Sequence, residues 1–463
     1  MQDLAVAVMQ GLALAERELL LFAGIFFIIG ALDELAIDIS WAWLWLRGPA
    51  RTRSVDRASA EKAALKGHAA VFIPAWSEAQ VIGTTIAHLL KAWPQAELRL
   101  FVGVYANDPA TLEAALEKAS GDPRLRLVVL DNAGPTSKAD CLNRLYAAMQ
   151  AEQARHAITF RQVLLHDAED MVDPAVLALI DRALETADFV QIPVQPLPQR
   201  ASRWIGSHYC EEFAEAHAKA MVVRDAFGAA LPAAGVGCAF TGSVLARLAK
   251  ASEAGPFDQD SLTEDYELGL RVRDLGGTGR FLRLRGDDGE LVATRAYFPA
   301  ALPDAVRQKA RWVHGIALQG WDRMGWGRGP LESWMRMRDR RGPMVALVLF
   351  LAYLLVAVAG LASVLRSAGY APGWEPTTAM WWLLAINVAM FGWRALMRFA
   401  FTAREYGAFE GLRAVLRLPV ANIIAIMAGR RAVFAYARTL RGGPPLWEKT
   451  HHPLHPAMEA KPR

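Results

Sequence analysis

The chain has 463 residues, 53% of them hydrophobic and 21% charged, with a mean hydropathy of +0.16. That is too apolar for a disordered or nucleic-acid-coating protein and too polar for a bare membrane bundle, so the apolar content must be unevenly divided. The net charge of +4 is uneven as well: residues 343–463 hold 13 basic and 5 acidic residues, whereas residues 1–342 hold 38 and 42. The basic excess belongs to the C-terminal third, and no nucleic-acid patch is expected on the main body.

At the N-terminus, Leu19–Leu32 is apolar, and Asp33, Glu34 and Asp38 interrupt it before Ile39–Leu46. The segment ahead of it is not a basic n-region and no small-residue cleavage site follows. A retained anchor over about 18–46, within a unit 1–47, is therefore expected in place of a cleaved leader. The three carboxylates lie either at headgroup level or buried against protein. Arg47, Arg51, Arg53 and Arg57 follow, which places the next unit in the cytosol.

Residues 68–300 read as an α/β body. Apolar, β-branched runs at 70–73, 98–104, 125–130, 163–165 and 189–192 alternate with amphipathic helical patterns at 80–92, 110–119, 138–150 and 174–186. Such alternation implies a mostly parallel sheet, whose ligands bind beyond the carboxyl ends of the strands. Pro74-Ala75-Trp76-Ser77-Glu78 follows the first strand and Asn107-Asp108 the second. Asp131 and then Lys138-Ala139-Asp140-Cys141-Leu142-Asn143 follow the third, and His166-Asp167-Ala168-Glu169-Asp170 the fourth. Carboxylates at one sheet edge after four strands suggest a site for a cation and a phosphorylated ligand. An extended Asp-x-Glu puts Asp167 and Glu169 on one side, with Asp170 as the competing ligand. The bland alternative is an Asp-rich helix start, which Asp170 or Asp173 would satisfy.

Farther on, Gly235–Gly242 is glycine-rich, and Thr263-Glu264-Asp265 either begins a helix, where acids favour the dipole, or carries chemistry. In the unit 301–342, Gln308, Arg311 and Trp312 fall on one helical face. Residues 343–365 carry no charge and are long enough to cross a bilayer core of about 30 Å. Residues 379–401 form a second span in the unit 343–401. Its Arg394 and Arg398 are placed to snorkel. Basic flanks put the loop between the spans outside. Residues 408–440 are amphipathic, and their uncharged core is too short to cross, so an interfacial helix is expected, followed by a cytosolic tail within 402–463. His451, His452 and His455 are expected in solvent. Cys141, Cys210 and Cys238 show no metal-type pairing.

Taken together, PAWSE, the Asn-Asp after strand two, KADCLN, DAED, Thr263-Glu264-Asp265 and Gln308-Lys309-Ala310-Arg311-Trp312 resemble, in order, the motifs of membrane-bound family 2 glycosyltransferases of the processive QxxRW type. The layout, including PPLWEKTHH near the C-terminus, is most similar to phage adsorption protein B-like glycosyltransferases. Ser77 and Glu169 depart from the usual Asn and Asp. The resemblance implies a GT-A (Rossmann-like) domain over 68–300, set between an N-terminal membrane helix and a C-terminal membrane-helix region.

It further implies an inverting, metal-dependent enzyme of the inner membrane that is multi-pass, with its catalytic domain in the cytosol. The implied reaction moves a hexose-type sugar from a nucleotide sugar, a UDP-sugar above all, to a growing cell-surface polysaccharide. Mg²⁺ or Mn²⁺ would sit on Asp167 and Glu169. Pro74, Ala75, Glu78, Asp108, Lys138, Asp140, Asp167 and Arg311 would hold the sugar donor, and Asp265 would be the catalytic base. Glu264, Gln308 and Trp312 would meet the glycan acceptor, while Trp447, Lys449 and Thr450 stand where related synthases carry a gating loop. The partners implied are the lipid bilayer and, by analogy, an outer-membrane or periplasmic export protein. Two competing readings remain, a polyprenyl-phosphate sugar transferase and a catalytically silent scaffold for phage adsorption.

Overall fold

The computed structural model describes residues 2–119, 121–252, 254–369, 374–443 and 455–459. Seven strands form its main sheet: β1 (His68–Pro74), β2 (Leu98–Tyr105), β3 (Leu125–Leu130), β4 (Phe160–Leu165), β5 (Phe189–Gln191), β6 (Cys238–Thr241) and β7 (Gly279–Phe281). Their order is β3-β2-β1-β4-β6-β5-β7. The β3-β2-β1-β4 half is parallel. β6 runs antiparallel to both of its neighbours, and β7 lies parallel to β5. All five predicted runs are strands; β6 and β7 are additions.

The continuous apolar runs follow from burial on both faces. Ala69, Val71 and Ile73 enter one core with Leu100 and Val102. Ala70 and Phe72 alternate into the other with Phe101, Val163 and Leu165. The chain leaves β1 toward β2 on one side, while β4 pairs on the other side. This reversal opens a crevice at the carboxyl ends of β1 and β4.

The helices that matter for the site and the membrane are α1 (Gln2–Arg47), α2 (Lys138–His156), α3 (Glu264–Asp274), α4 (Leu302–Trp312), α5 (Pro330–Arg340), α6 (Gly342–Ser367), α7 (Thr378–Tyr406), α8 (Ala408–Leu416) and α9 (Leu418–Leu440). Four of them, α1, α6, α7 and α9, are long and apolar enough to cross a membrane. Only 11% and 6% of the apolar windows of α6 and α7 are buried within the protein, so their surfaces, with Val356, Trp382 and Val388 exposed, call for a hydrocarbon solvent.

The acidic trio of α1 is buried against protein. Asp33 accepts from Trp334 Nε1 at 2.7 Å and pairs with Arg338 and Arg341; Glu34 pairs with Arg338, Arg341 and Arg394. Asp38 pairs with Lys219 at 2.5 Å and accepts from Trp393 Nε1 at 2.8 Å. Every carboxylate has partners, as buried charge requires.

The single interfacial helix expected over 408–440 is in fact two. Pro419 enters at the start of α9, where its missing N–H costs nothing, and the chain turns at Arg417. Both ends of α9 are tied to the rest of the fold. Arg417, just ahead of it, is fully buried between Glu211 and Glu410, at 2.7 and 2.6 Å. Near the other end Tyr436 donates to Asp322 at 2.5 Å. Between them, Ala428 and Ala432 pack on Ala310 of α4.

One tail expectation is corrected. His455 is not in solvent but fully buried, because its ring finds two backbone partners inside the fold. His451, His452 and the predicted gating residues Trp447, Lys449 and Thr450 lie outside the described residues.

Candidate active site

At the crevice lies a cleft of about 130 Å³, walled by the ends of β1, β2 and β4, the start of α2 and one face of α4. From β1 come Pro74, Ala75 and Glu78. The turn after them is made by Ser77, whose φ of 53° lies in the left-handed region that Asn tolerates better than most residues. Asp108 holds this turn: its Oδ2 accepts from Ser77 N at 2.5 Å and its Oδ1 from Thr111 N at 3.4 Å. Asp108 is nearly buried and does not line the cleft.

Ser137 caps α2 by accepting from Asp140 N at 3.2 Å, the expected geometry of a helix start. The cap aims the first turn's Lys138 into the cleft, where Nζ donates to Asp167 Oδ1 at 2.5 Å. Asp140 sits beside Arg144 and Gln259 instead, at 3.5 and 3.4 Å. Asn143 is structural, since its amide exchanges two hydrogen bonds with Phe257 backbone atoms at 2.7 and 3.0 Å.

The turn after β4 separates its carboxylates by function. Asp167 and Glu169 line the cleft. Asp170 is buried, and its Oδ2 meets His166 Nδ1 at 2.9 Å and Asp167 N at 3.0 Å. Asp173 accepts from Ala175 N at 3.1 Å. Asp170 and Asp173 thus build the turn, and neither is among the residues that line the cleft.

Asp265 opens α3, with Oδ1 accepting from Tyr266 N at 2.8 Å. Gly235 passes so close to its carboxylate that a Cβ there would collide with Oδ2, and the φ of +74° at Gly235 suits glycine. Burial pulls the Lys138 ammonium down, but the carboxylates of Asp167, Glu264 and Asp265 together outweigh it and raise its proton affinity. Burial pushes the Asp265 carboxyl up, against Lys138. Burial and then the charge of Asp265 push Glu264 up to about 7. The Lys138 ammonium therefore pairs with Asp167 and also feels the negative charge of Glu264 and Asp265 from α3.

Gln308 and Arg311 close the cleft from α4, and Gln308 Oε1 is buried without a hydrogen-bond partner among the described residues. Trp312 lies beyond the cleft, edge-on to Tyr209 and Phe213 at 6.1 and 6.4 Å. The structure thus gathers Pro74, Ala75, Glu78, Lys138, Asp167, Glu169, Gln308 and Arg311 around one space; Glu264 and Asp265, at the start of α3, are not among its lining residues, though their charge reaches Lys138. It sets Asp108, Asp140 and Trp312 behind or beside it.

Sequence reasoning missed an aromatic wall. Trp76 stands edge-on to Tyr105 at 5.1 Å, and Tyr105 OH lies 2.7 Å from Thr136 Oγ1. All three line the cleft. A signal existed in the Trp inside the polar PAWSE turn, directly after the first strand.

For a divalent cation, the described residues contain no cluster of three or more His, Cys, Asp or Glu. The pair Asp167 and Glu169 nonetheless fits a hard ion that takes one or two carboxylates and completes its shell with phosphate and water, and the Lys138 ammonium already stands as a counter-cation on Asp167.

Residues 67–315 match the family model described as glycosyltransferase-like family 2. The chain is 32% identical over 455 residues to bacteriophage adsorption protein B of Escherichia coli K12, across 92% of this chain and 60% of that protein. It matches bacteriophage N4 adsorption protein B of Escherichia coli O157:H7 to the same extent. The chain spans about three fifths of the length of these relatives. A mannosyltransferase from Pyrobaculum calidifontis, solved with GDP-Man and Mn²⁺, superposes with a TM-score of 0.50 at 16% identity, over 90% of this chain and 99% of that one. That likeness shows the shared GT-A fold. The chain belongs to the family 2 glycosyltransferases.

Proposed function

We propose that the chain is an inverting, metal-dependent hexosyltransferase. It moves sugar from a nucleoside diphosphate, UDP above all, to a growing cell-surface polysaccharide at the inner membrane, with its catalytic body in the cytosol. The observation that carries this reading is the Lys138–Asp167 ion pair in a cleft that Glu169, Gln308 and Arg311 also line.

Asp167 and Glu169 would hold Mg²⁺ or Mn²⁺, which when bound supplies positive charge to the diphosphate leaving group. Lys138 and Arg311 add fixed positive charge where the leaving group develops its negative charge. Pro74, Ala75 and Glu78 shape the donor side. Asp108 supports it by holding the Ser77 turn, and Asp140 by sitting in the first turn of α2. Asp265 Oδ2 takes the proton of the acceptor hydroxyl as its oxygen attacks the anomeric carbon from the face opposite the diphosphate, which inverts the configuration. Glu264 and Gln308 orient the acceptor, and Trp312 gives an apolar ledge beyond it.

The long apolar helices and the basic flanks of α6 and α7 support the inner-membrane placement. α9 is long and apolar enough to cross, but its ends are held by Arg417 to Glu211 and by Tyr436 to Asp322, on the side of the α/β body, which favours a place along the cytosolic interface. The name of the curated relatives fits an enzyme whose surface product is what a phage meets, and export would need an outer-membrane or periplasmic partner.

Membrane vesicles supplied with a panel of nucleotide sugars test the reading. Polymer should form with one donor and vanish on Asp265→Asn. A lipid-linked monosaccharide would instead mark a polyprenyl-phosphate transferase, and no turnover with any donor a silent scaffold.

A further inference from the structure

Residues 455–459 follow the membrane helices in the chain, yet they pack against the back of the turn that presents Asp167 and Glu169. His455 is 0% exposed. Its Nδ1 accepts from Ala457 N at 3.0 Å, which leaves the proton on Nε2, and Nε2 donates to the Asp170 carbonyl at 3.1 Å. The tautomer follows from these two partners.

The neighbouring carbonyls are held in the same manner. Thr85 Oγ1 donates to Ala168 O at 2.5 Å, His88 Nε2 to Val172 O at 2.9 Å, and Trp93 Nε1 to Asp173 O at 3.1 Å. The His88 and His455 rings lie 6.1 Å apart. Thr85, His88 and Trp93 all come from the helix after β1 and its C-cap. Of these four holders, His455 alone comes from the far end of the chain.

A buried carbonyl needs a partner, and the Asp170 peptide is also the one whose side chain fixes Asp167 N and His166. If the His455 donor is lost, the turn must shift to find another partner or leave the carbonyl orphaned. The first outcome moves the two carboxylates the turn presents, and the second loosens the turn that holds them.

We propose that His455 is a positioning residue for the Asp167–Asp170 turn, through which the chain beyond the membrane helices sets where Asp167 and Glu169 stand. This rests on the reading of those two carboxylates as cation ligands. Groups one shell behind a metal typically change its affinity by about 10–100-fold when removed. A carbonyl contact at Asp170, next to Glu169 and three residues from Asp167, acts through the backbone and belongs at the lower end.

The test uses the full chain in detergent with UDP present. Free Mn²⁺ is followed by electron paramagnetic resonance, and amide exchange is measured across residues 167–173. His455→Ala should weaken Mn²⁺ binding by about tenfold and speed exchange in that segment. His455→Gln, whose amide N–H reaches the same carbonyl, should restore both. Asp167→Asn serves as the reference.

If Asp167→Asn loses Mn²⁺ while His455→Ala keeps both affinity and protection, the positioning role is overturned and the metal reading stands. If Asp167→Asn leaves Mn²⁺ binding intact, the metal reading fails and the proposal falls with it. Should His455→Ala not fold, His455→Asn, whose amide is too short to reach, replaces it under the same outcomes.

Discussion

Asp265 must be ionised to accept a proton, and burial pushes its carboxyl above the ordinary range. Turnover should therefore fall on the acid side at a higher pH than for an exposed aspartate, with a one-proton limb in kcat. A flat profile down to pH 4 would contradict a base in this environment. Asp265→Asn should cost about 10²–10⁴ in kcat. Glu264 has a sharper signature. Its proton affinity is raised to about 7 from 4.5, so the stability it contributes is present below about pH 4.5 and lost as the pH rises through about 7. Glu264→Gln escapes that loss, and its gain in melting temperature over the parent should be larger at pH 8 than at pH 5. Gly235→Ala would drive a methyl onto the Asp265 carboxylate; kcat should drop by at least about tenfold, the size of a misplaced base, with UDP affinity kept. The placement of Lys138, Asp167, Gln308 and Arg311 around one cleft was legible because each is a chemistry-bearing type in a fixed pattern. Tyr105 and Thr136 were not, because an aromatic at a strand end reads as core, and only the fold turns its edge toward a cleft.

The strands of the parallel half announced themselves by length and β-branching, and their loops by polarity. β6 and β7 did not: each is four residues or fewer, below the length at which period two can be seen. The split between α8 and α9 was hidden for another reason. Arg417 looks like one more basic residue on an amphipathic face, and only the fold pairs it, wholly buried, with Glu211 and Glu410. α4 also continues into a π-helical turn, Val313–Gln319, in which Gly315 lies against Thr263. A Cβ there would come within 2.6 Å of the Thr263 side chain. Gly315→Ala should therefore separate α4 from the start of α3 and lower turnover by about tenfold, an overpacking cost of 1–3 kcal/mol expressed at the site. Gly360→Ala in α6 meets nothing within 4 Å and should be silent in the same vesicle assay. Equal effects of the two would show that α4 and α3 tolerate separation.

For the molecule as a whole, the membrane placement can be read by labelling. Cys141, Cys210 and Cys238 are free and buried, so the parent should be nearly inert to a membrane-impermeant maleimide. Glu375→Cys, in the loop between α6 and α7, should be labelled in intact cells, and Ser59→Cys, between α1 and the sheet, only after permeabilisation. The reverse pattern would invert the topology. Sequence showed two of these helices plainly, because an uncharged run has few explanations. It left the acidic trio of α1 open, because charge inside an apolar helix is decided by partners distant in the chain. Those partners bear on how the protein is made. α1 emerges from the ribosome before its partners, and Asp33, Glu34 and Asp38 find their counter-charges on Lys219, Arg338, Arg341 and Arg394, the last of them 360 residues beyond Glu34. Asp38 gains its partner when Lys219 is made, Asp33 only when Arg338 and Arg341 follow, and Arg394 adds a further partner to Glu34. A nascent chain stalled before α5 would thus hold Asp33 without its partners, so the first helix can settle only once residues 334–341 have been made.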